Sequence, residues 1–312
     1  MPALTREAER HDPGWWTPAR IPLEMRQFET GKRAPHGAVG LLDLELARLA
    51  GATRLVRHFH RTPLYVLRPI YLDQARPGMA FVYLQQQGGG LLQGDRHRMD
   101  VDVGQNAEVH ITTQGATKIY GMDDGYATQL VNLSAAAGSL LEYLPEPVIP
   151  FRRSRFFGET TVTADPDATV LFAETLLPGR VARGEWHDYD VYCSTTRIRR
   201  PDGEQIAQDS LAFGAGAGRA DSPARLGAQG VHAAFFVLAA PERTHGLAGK
   251  LLEQVGERQD LLAGVSTLPS DAGLLVRVLG PSSIPVKLAV QSLWDTARRH
   301  LTGSPAPDLR KD

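Results

Sequence analysis

Hydrophobic and polar residues alternate in short runs over the stretch 37–211. Apolar residues occupy every second position at 42–46, 99–103 and 109–111, with Asp, Glu or His between them. Period-two alternation of this kind predicts strands with one buried face. Turn sequences such as Arg-Pro-Gly at 76–78 recur about every 8–12 residues, which is typical of all-β sandwiches, barrels and helix-like stacks of strands.

A helical period replaces this alternation in two later stretches. Residues 245–259 carry one apolar stripe, and within 283–301 apolar residues recur at the spacing of one helix face. Ser282 or Ser283 can cap the second helix, and Gly303 ends it. We therefore predict a mainly β fold, a helix-like stack of short strands of β-helical or β-sandwich-like form, with about two α-helices near the C-terminus.

Composition along the chain sets the expected boundaries. Residues 1–36 contain five prolines and no sustained periodicity, which predicts a poorly ordered N-terminal extension. Residues 37–303 are expected to form a single β-rich domain, followed by a flexible tail at 304–312. Trp15 and Trp16 are expected to dock on the domain, because two adjacent exposed tryptophans are unusual.

Charge and cysteine content exclude several classes of protein. The 34 basic and 35 acidic residues give a formal net charge of -1, which argues against a generally basic nucleic-acid binder. No apolar run is long enough to cross a membrane, and no signal peptide is visible. Cys193 is the single cysteine, so an intrachain disulfide and a CxxC metal site are impossible. We expect a cytoplasmic protein without nucleic-acid or membrane partners.

The common catalytic motifs are missing, and the metal candidates are weak. The sequence contains no GxSxG elbow, no HExxH and no calcium-binding loop. His58 and His60 form an H-x-H pair whose imidazoles would share one face of a strand, where they could hold nickel, copper or zinc. A solvated strand face is the favoured interpretation, so no firm metal site is predicted. Cys193 is expected to be a small buried hydrophobe.

Four segments place glycines, prolines or charged and polar residues beside apolar neighbours: 85–96, 112–120, 141–151 and 174–185. The first contains Gly88, Gly89 and Gly90, which a chain accepts where its backbone turns sharply or closely approaches another backbone. Acids beside apolar residues must pair, coordinate a cation or stay hydrated. From the residues alone, these segments are turns and salt bridges of a β-rich core.

The same four segments resemble the urease accessory protein family UreD, called UreH in some organisms. The similarity lies in GGGLLQGD (88–95), TTQGATKIY (112–120), LPEPVIPF (144–151) and GRVARGE (179–185), in the order and spacing of the family. The resemblance implies a non-catalytic chaperone or scaffold for nickel incorporation into urease, with a β-rich fold. The implied partners are the urease apoprotein and the accessory proteins UreF and UreG. No tightly bound cofactor is implied, only nickel in transit.

The resemblance also implies a polar tunnel for nickel. The candidate pathway residues are the acids and the wall or gate groups of the four segments: Asp95, Glu142, Glu146, Glu174 and Glu185, with Thr112, Thr113 and Lys118. Arg180 and Arg183 are candidates for ion pairs with these acids. Carboxylates and water suit a conduit better than a His/Cys cage, which would trap nickel.

Two rival functions belong to other classes. One is a β-helical enzyme acting on carbohydrate, with Glu142 and Glu185 as an acid–base pair. The other is a pure protein-binding scaffold that never contacts nickel. Hydrolysis by the isolated chain would favour the enzyme. The scaffold predicts that acidic substitutions matter only when they break complex formation.

Overall fold

The computed structural model describes residues 12–29, 37–256, 258–309 and 311. The strands are β1 (Val39–Leu49), β2 (Ala52–Arg61), β3 (Leu64–Val66), β4 (Ala80–Gln86), β5 (Arg96–Val103), β6 (Glu108–Thr113), β7 (Thr117–Ile119), β8 (Ala127–Ala135), β9 (Leu140–Tyr143), β10 (Val148–Pro150), β11 (Arg155–Ala164), β12 (Thr169–Leu176), β13 (Val191–Arg199), β14 (Gln205–Gly214), β15 (Val231–Leu238), β16 (Leu262–Thr267) and β17 (Gly273–Gly280). The helices are α1 (Pro13–Trp16), α2 (Leu23–Arg26), α3 (Pro241–Thr244), α4 (Leu247–Gly256) and α5 (Ser283–Thr302).

The strands form two sheets, and successive long strands in the middle of the chain belong alternately to one sheet and the other. Sheet A has the order β14-β13-β11-β8-β5-β1-β2, and sheet B has the order β16-β17-β15-β12-β9-β6-β4-β3. From β4 to β13 the longer strands alternate between sheet B and sheet A, with short β7 and β10 at the corners, and neighbours within each sheet run parallel. The predicted helix-like stack of strands is therefore confirmed.

The main core lies between the two sheets. Side chains point to alternate faces along a strand, so Val101 of β5 and Val131 of β8 meet Val109 of β6 and Phe172 of β12 in one cluster. Phe172 stacks on Phe236 with ring centroids 4.3 Å apart. The apolar residues that alternate along the sequence are therefore the ones that fill the core between the two sheets.

A second core joins the outer face of sheet B to the helices. Leu251 of α4 and Leu293 of α5 pack with Phe235 and Val276 of the sheet. The two predicted helices occur at Leu247–Gly256 and Ser283–Thr302, close to the expected ranges. Ser282 lies at the N-cap position without a side-chain cap bond, and Gly303 ends α5 with φ 74°.

The described part of the expected N-terminal extension is packed on the domain. The expectation for 1–11 and 30–36 falls outside the described residues. Within 12–29, Met25 is buried, and the guanidinium of Arg98 lies 4.2 Å from the Trp15 ring. Trp16 lies near Arg61, with 5.9 Å from guanidinium carbon to ring centroid. The expected docking of both tryptophans is thus observed, through cation–π contacts that a local pattern does not show.

Candidate functional site

A polar cavity interrupts the core between the sheets. Its volume is about 80 Å³, enough for more than one water molecule, since each needs roughly 10–15 Å³ by this measure. We call it the inner cavity. Seven strands of both sheets and the start of β15 each contribute one polar wall residue to it: Thr113, Gln129, Tyr143, Thr160, Glu174, Tyr192, Asp209 and His232.

Glu174 is the inward-facing carboxylate of β12. Phe172, two residues earlier, belongs to the core between the sheets, whereas Ala173 packs toward the helices. Glu174 Oε1 accepts a 2.8 Å hydrogen bond from Thr160 Oγ1. Burial raises the pKa of Glu174, and the hydroxyls of Thr160 and Thr196 oppose that shift. The side chain is half-buried and lines the inner cavity.

His232 and two tyrosines complete the chemistry of the cavity. β15 places His232 opposite Leu176. Burial lowers the pKa of His232 to about 4, so the imidazole is neutral near pH 7 and one ring nitrogen offers a lone pair. Within the described residues, His232 Nε2 has no hydrogen-bond partner. Burial also raises the pKa of the Tyr143 and Tyr192 phenols, which keeps both hydroxyls protonated.

The inner cavity lies between two larger recesses. On one side, a recess of about 420 Å³ includes His97 and Gln86 and shares Thr113, Thr117 and Gln129 with the inner cavity. On the other side, a recess of about 500 Å³ beside the Arg277–Asp209 ion pair shares Leu211 and His232. The inner cavity therefore shares wall residues with a recess on each side.

The three consecutive glycines form the rim of the first recess. Gly88 and Gly90 have φ of 96° and 149°, values that side-chain-bearing residues rarely adopt. Leu91 N donates a 2.8 Å hydrogen bond to Lys118 O, and a Cβ on Gly90 would collide with that carbonyl. A Cβ on Gly89 would collide with the Tyr120 hydroxyl. The expected close approach of two backbone segments is present, and the exposed Lys118 lies beside it.

Sequence comparison identifies the family. The profile described as "UreD urease accessory protein" matches residues 38–312. The chain belongs to the UreD urease accessory protein family. The relative "Urease accessory protein UreD 2" of Streptomyces griseus is 46% identical over 275 residues, which cover 88% of this chain and 94% of the relative.

More distant UreD relatives align over a similar length. "Urease accessory protein UreD" of Cenarchaeum symbiosum is 36% identical, covering 92% of this chain and 100% of the relative. "Urease accessory protein UreD 2" of Brucella suis is also 36% identical, covering 91% and 94%. UreD proteins are accessory proteins and not known enzymes. No helix of the described residues is long and apolar enough to cross a membrane.

Asp95, a pathway candidate, closes a turn. Its Oδ1 accepts the N–H of Ala38 at 2.7 Å, and its Oδ2 accepts the N–H of Leu92 at 2.8 Å. Both carboxylate oxygens therefore accept backbone N–H groups and tie the start of β1 to the loop before β5. Asp95 therefore stabilises this turn, and it does not line the inner cavity.

Asp95→Ala is expected to lower the free energy of unfolding by about 3 kcal/mol, because two backbone N–H groups lose a charged acceptor. Asp202→Ala is the matched control, since Asp202 caps an exposed turn through a single 2.9 Å bond to Glu204 N. That control should cost under about 1 kcal/mol. Urea unfolding monitored by circular dichroism measures both, and equal losses would contradict the assignment.

Glu142 lies on the opposite face of sheet B from the inner cavity. Its carboxylate contacts His110 Nδ1 at 2.9 Å and Arg298 Nε at 3.0 Å, and all three side chains are fully buried beneath α5. Arg298 also pairs with Asp73. Burial lowers the pKa of His110, with Glu142 opposing the shift. The structure brings Glu142 into a buried ion-pair network and not onto the cavity wall.

Glu185 and its arginines form a surface loop. Arg180 pairs with the buried Glu185, with Nε 3.0 Å from Oε2, and its guanidinium lies 4.1 Å from the Phe151 ring. Arg180 lowers the pKa of Glu185 mainly through these hydrogen bonds. The ion-pair prediction is confirmed for Arg180. Arg183 is exposed and makes no ion pair within the part of the chain that the structure describes.

The remaining candidates lie close together on the two faces of sheet B, beside the inner cavity. Thr113 faces the cavity, and its Oγ1 accepts the N–H of Glu146 at 2.9 Å. Thr112 faces the other side of sheet B, where its hydroxyl donates to Leu144 O at 2.5 Å. Glu146 pairs with Lys311, with 2.9 Å between Oε1 and Nζ. Sequence reasoning placed these groups on a pathway without identifying Lys311.

The metal candidates His58 and His60 lie on β2. His58 and His60 share one strand face, with ring centroids 6.3 Å apart, as expected, and His60 packs edge-on against Tyr65. Among the described residues, no group of three His, Cys, Asp or Glu side chains could hold a metal ion. Cys193 is 2% exposed, and burial raises the pKa of its thiol to about 12, in agreement with its expected role as a small buried hydrophobe.

Sequence reasoning missed several wall residues of the inner cavity, above all Tyr143, Asp209 and His232. A signal for His232 exists in the sequence: it is the only polar residue of the strand Val231–Leu238. A single polar residue in a strand buried on both faces requires either a partner or a polar space. For Asp209 no such signal exists, because β14 alternates like any half-exposed strand.

Proposed function

We propose that this member of the UreD family is a chaperone and scaffold for urease maturation that offers nickel a polar route through its interior. In this proposal it binds the urease apoprotein together with UreF and UreG, in the cytoplasm, and catalyses no turnover of its own. The single cysteine is consistent with a reducing compartment. The observation that carries the proposal is the inner cavity with the Glu174 carboxylate on its wall.

The donor set of the cavity suits the transit of a divalent ion. Imidazole and carboxylate groups are acceptable nickel ligands, and Glu174 and His232 supply one of each. Conduction requires binding that is strong enough for entry and weak enough for release. Polar groups spread along the path meet this requirement, because no described cluster of three ligands would hold the ion tightly.

The carbohydrate-enzyme alternative is disfavoured by the geometry. A glycosidase needs two carboxyl groups that face one substrate across about 5–9.5 Å. Glu142 is fully buried against Arg298 and His110 under α5, while Glu185 is held by Arg180 in a surface loop. Neither carboxyl group lines the inner cavity. The pure-scaffold alternative makes a different prediction and is an outcome of the tests below.

The proposal is tested in a cell that carries the urease structural and accessory genes. Deleting only the gene for this chain should abolish urease activity and the nickel content of purified urease, and adding the gene back should restore both. Pull-down of urease with the accessory proteins reports assembly separately. Fully metallated urease in the deletion strain would overturn the maturation role.

A further inference from the structure

The segment after α5, comprising Ser304–Leu309 and Lys311, is fastened across the outer face of sheet B; we call it the tail segment. Arg298 Nη1 donates to Pro305 O at 2.8 Å. Ala306 N donates to Asp295 Oδ1 at 2.8 Å, and the Tyr83 hydroxyl donates to Leu309 O at 2.6 Å. The tail segment is therefore held by both α5 and the sheet, in contrast to the flexible tail expected from the sequence.

These anchors place one ammonium group against a carboxylate. Lys311 Nζ lies 2.9 Å from Glu146 Oε1 and donates to Thr112 Oγ1 at 2.6 Å. The Lys311 side chain is only 14% exposed, and the same ammonium lies 5.9 Å from the Tyr83 ring centroid. Burial lowers the pKa of Lys311, and Glu146 opposes that shift. A lysine with a long flexible stem is held here by three separate contacts.

Glu146 occupies a wall between two spaces. Together with Pro145 and Thr175, it lines both the inner cavity and a groove of about 630 Å³ that runs beside α5 and the tail segment. A cation entering the inner cavity from this groove would meet the Glu146 carboxylate first. Lys311 already neutralises that carboxylate from the groove side.

We propose that the Glu146 carboxylate and the Thr112 hydroxyl form a cation site on the outer face of sheet B, where the groove meets the wall of the inner cavity, and that Lys311 occupies this site until the tail segment is released. The site then takes a divalent metal ion, because a carboxylate and a hydroxyl are the oxygen ligands that divalent cations accept. The tail segment acts as a strap that keeps the entrance closed. This inference rests on the proposed nickel route and adds its regulation.

Tethering explains how a single ammonium can compete with a divalent ion. A group on a short linker acts at an effective concentration of the order of millimolar. The tail bonds to Arg298, Asp295 and Tyr83 hold Lys311 near its site. The apparent metal affinity is therefore the affinity of the open site multiplied by the fraction of molecules in which the site is open.

Nickel binding to the full chain tests the cation site. Lys311→Met removes the charge and keeps the aliphatic stem, whereas Lys311→Arg keeps the charge and serves as the matched control. In isothermal titration with Ni²⁺ alone, Lys311→Met should bind one additional equivalent or bind about 5- to 150-fold more tightly, the usual range of coupling between competing sites. Lys311→Arg should behave like the wild type. The double variant Lys311→Met/Glu146→Gln should lose the gain.

Equal nickel binding by the wild type and Lys311→Met would overturn the cation site. A gain that persists in the double variant would show that the ion does not use Glu146, and would overturn it as well. Both results leave the urease deletion experiment unaffected. A failure of this inference is therefore distinguishable from a failure of the proposed function.

Thiol accessibility tests the entrance without using nickel. Thr160→Cys places a thiol on the wall of the inner cavity, while the native Cys193 is buried and protonated. Adding Lys311→Met to this variant should speed its modification by a small cationic thiol reagent, and adding Lys311→Arg should not. An unchanged rate would overturn the strap. The modification rate could also increase in a protein whose gene deletion leaves urease fully metallated. That pair of results would support the strap and contradict the proposed function.

Discussion

Arg298→Met is expected to lower the free energy of unfolding by about 3–5 kcal/mol, the usual cost of removing one partner from a buried ion pair. Arg298 is fully buried, and its Nε lies 3.0 Å from Glu142 Oε1. It also pairs with Asp73, and its Nη1 donates a 2.8 Å hydrogen bond to Pro305 O. Its loss leaves two buried carboxylates without their cation and releases the start of the tail segment. Urea unfolding at constant pH measures the change.

The neighbouring residue provides the control. Arg299 also lies on α5 and pairs with Asp295 at the i,i+4 spacing, but its side chain is 59% exposed. Arg299→Met should cost only about 0.3–0.5 kcal/mol, because water screens exposed pairs. If the two variants lost the same stability, the buried network would not be a principal support of the contact between α5 and sheet B.

Glu174→Gln is expected to reduce urease activation at limiting nickel by about tenfold or more, since even outer partners of metal ligands change affinity about 10–100-fold. The amide keeps an oxygen that can accept the Thr160 hydrogen bond but removes the negative charge. Urease activity and nickel per urease are measured together in the complemented deletion strain, at limiting and at saturating nickel.

The stability of Glu174→Gln should equal or exceed that of the wild type near pH 7. Burial raises the folded pKa of Glu174, so the charged form is less favourable in the folded state than in the unfolded chain. The resulting destabilisation grows as pH rises through the folded pKa, and the neutral amide removes it. A drop in activation therefore cannot be attributed to unfolding.

Glu45→Gln is the control for position. Glu45 makes a partly exposed ion pair with Arg57 on β2, and it lies outside the walls of the inner cavity. This variant should activate urease normally. If Glu174→Gln also activated urease normally at every nickel concentration while assembling with its partners, Glu174 would not belong to a nickel route. The pure-scaffold function would then be favoured.

The pair Glu142 and Glu174 shows the limit of reasoning from the sequence. Both are single acids within apolar strands, so the sequence predicts that each needs a partner or a polar space. The register of parallel β9 and β12 aligns Glu142 with Leu171, whose side chain packs toward the helices. Glu174 lies three residues after Leu171 and therefore points to the opposite face, into the inner cavity. Alternation defines two faces but does not say which face meets the helices.

Local physical chemistry determined the strands, the two long helices, the αL end of α5 at Gly303 and the tight backbone at Gly88–Gly90. These features depend on side-chain periods of 2 and 3.6 residues and on glycine's backbone freedom, which are visible in a short window of sequence. The tertiary structure alone decided the inner cavity, the Arg298–Asp73 pair across 225 residues of chain and the Lys311–Glu146 pair across 165. Such contacts depend on how the sheets stack and where α5 lies, and a local pattern carries no information about either.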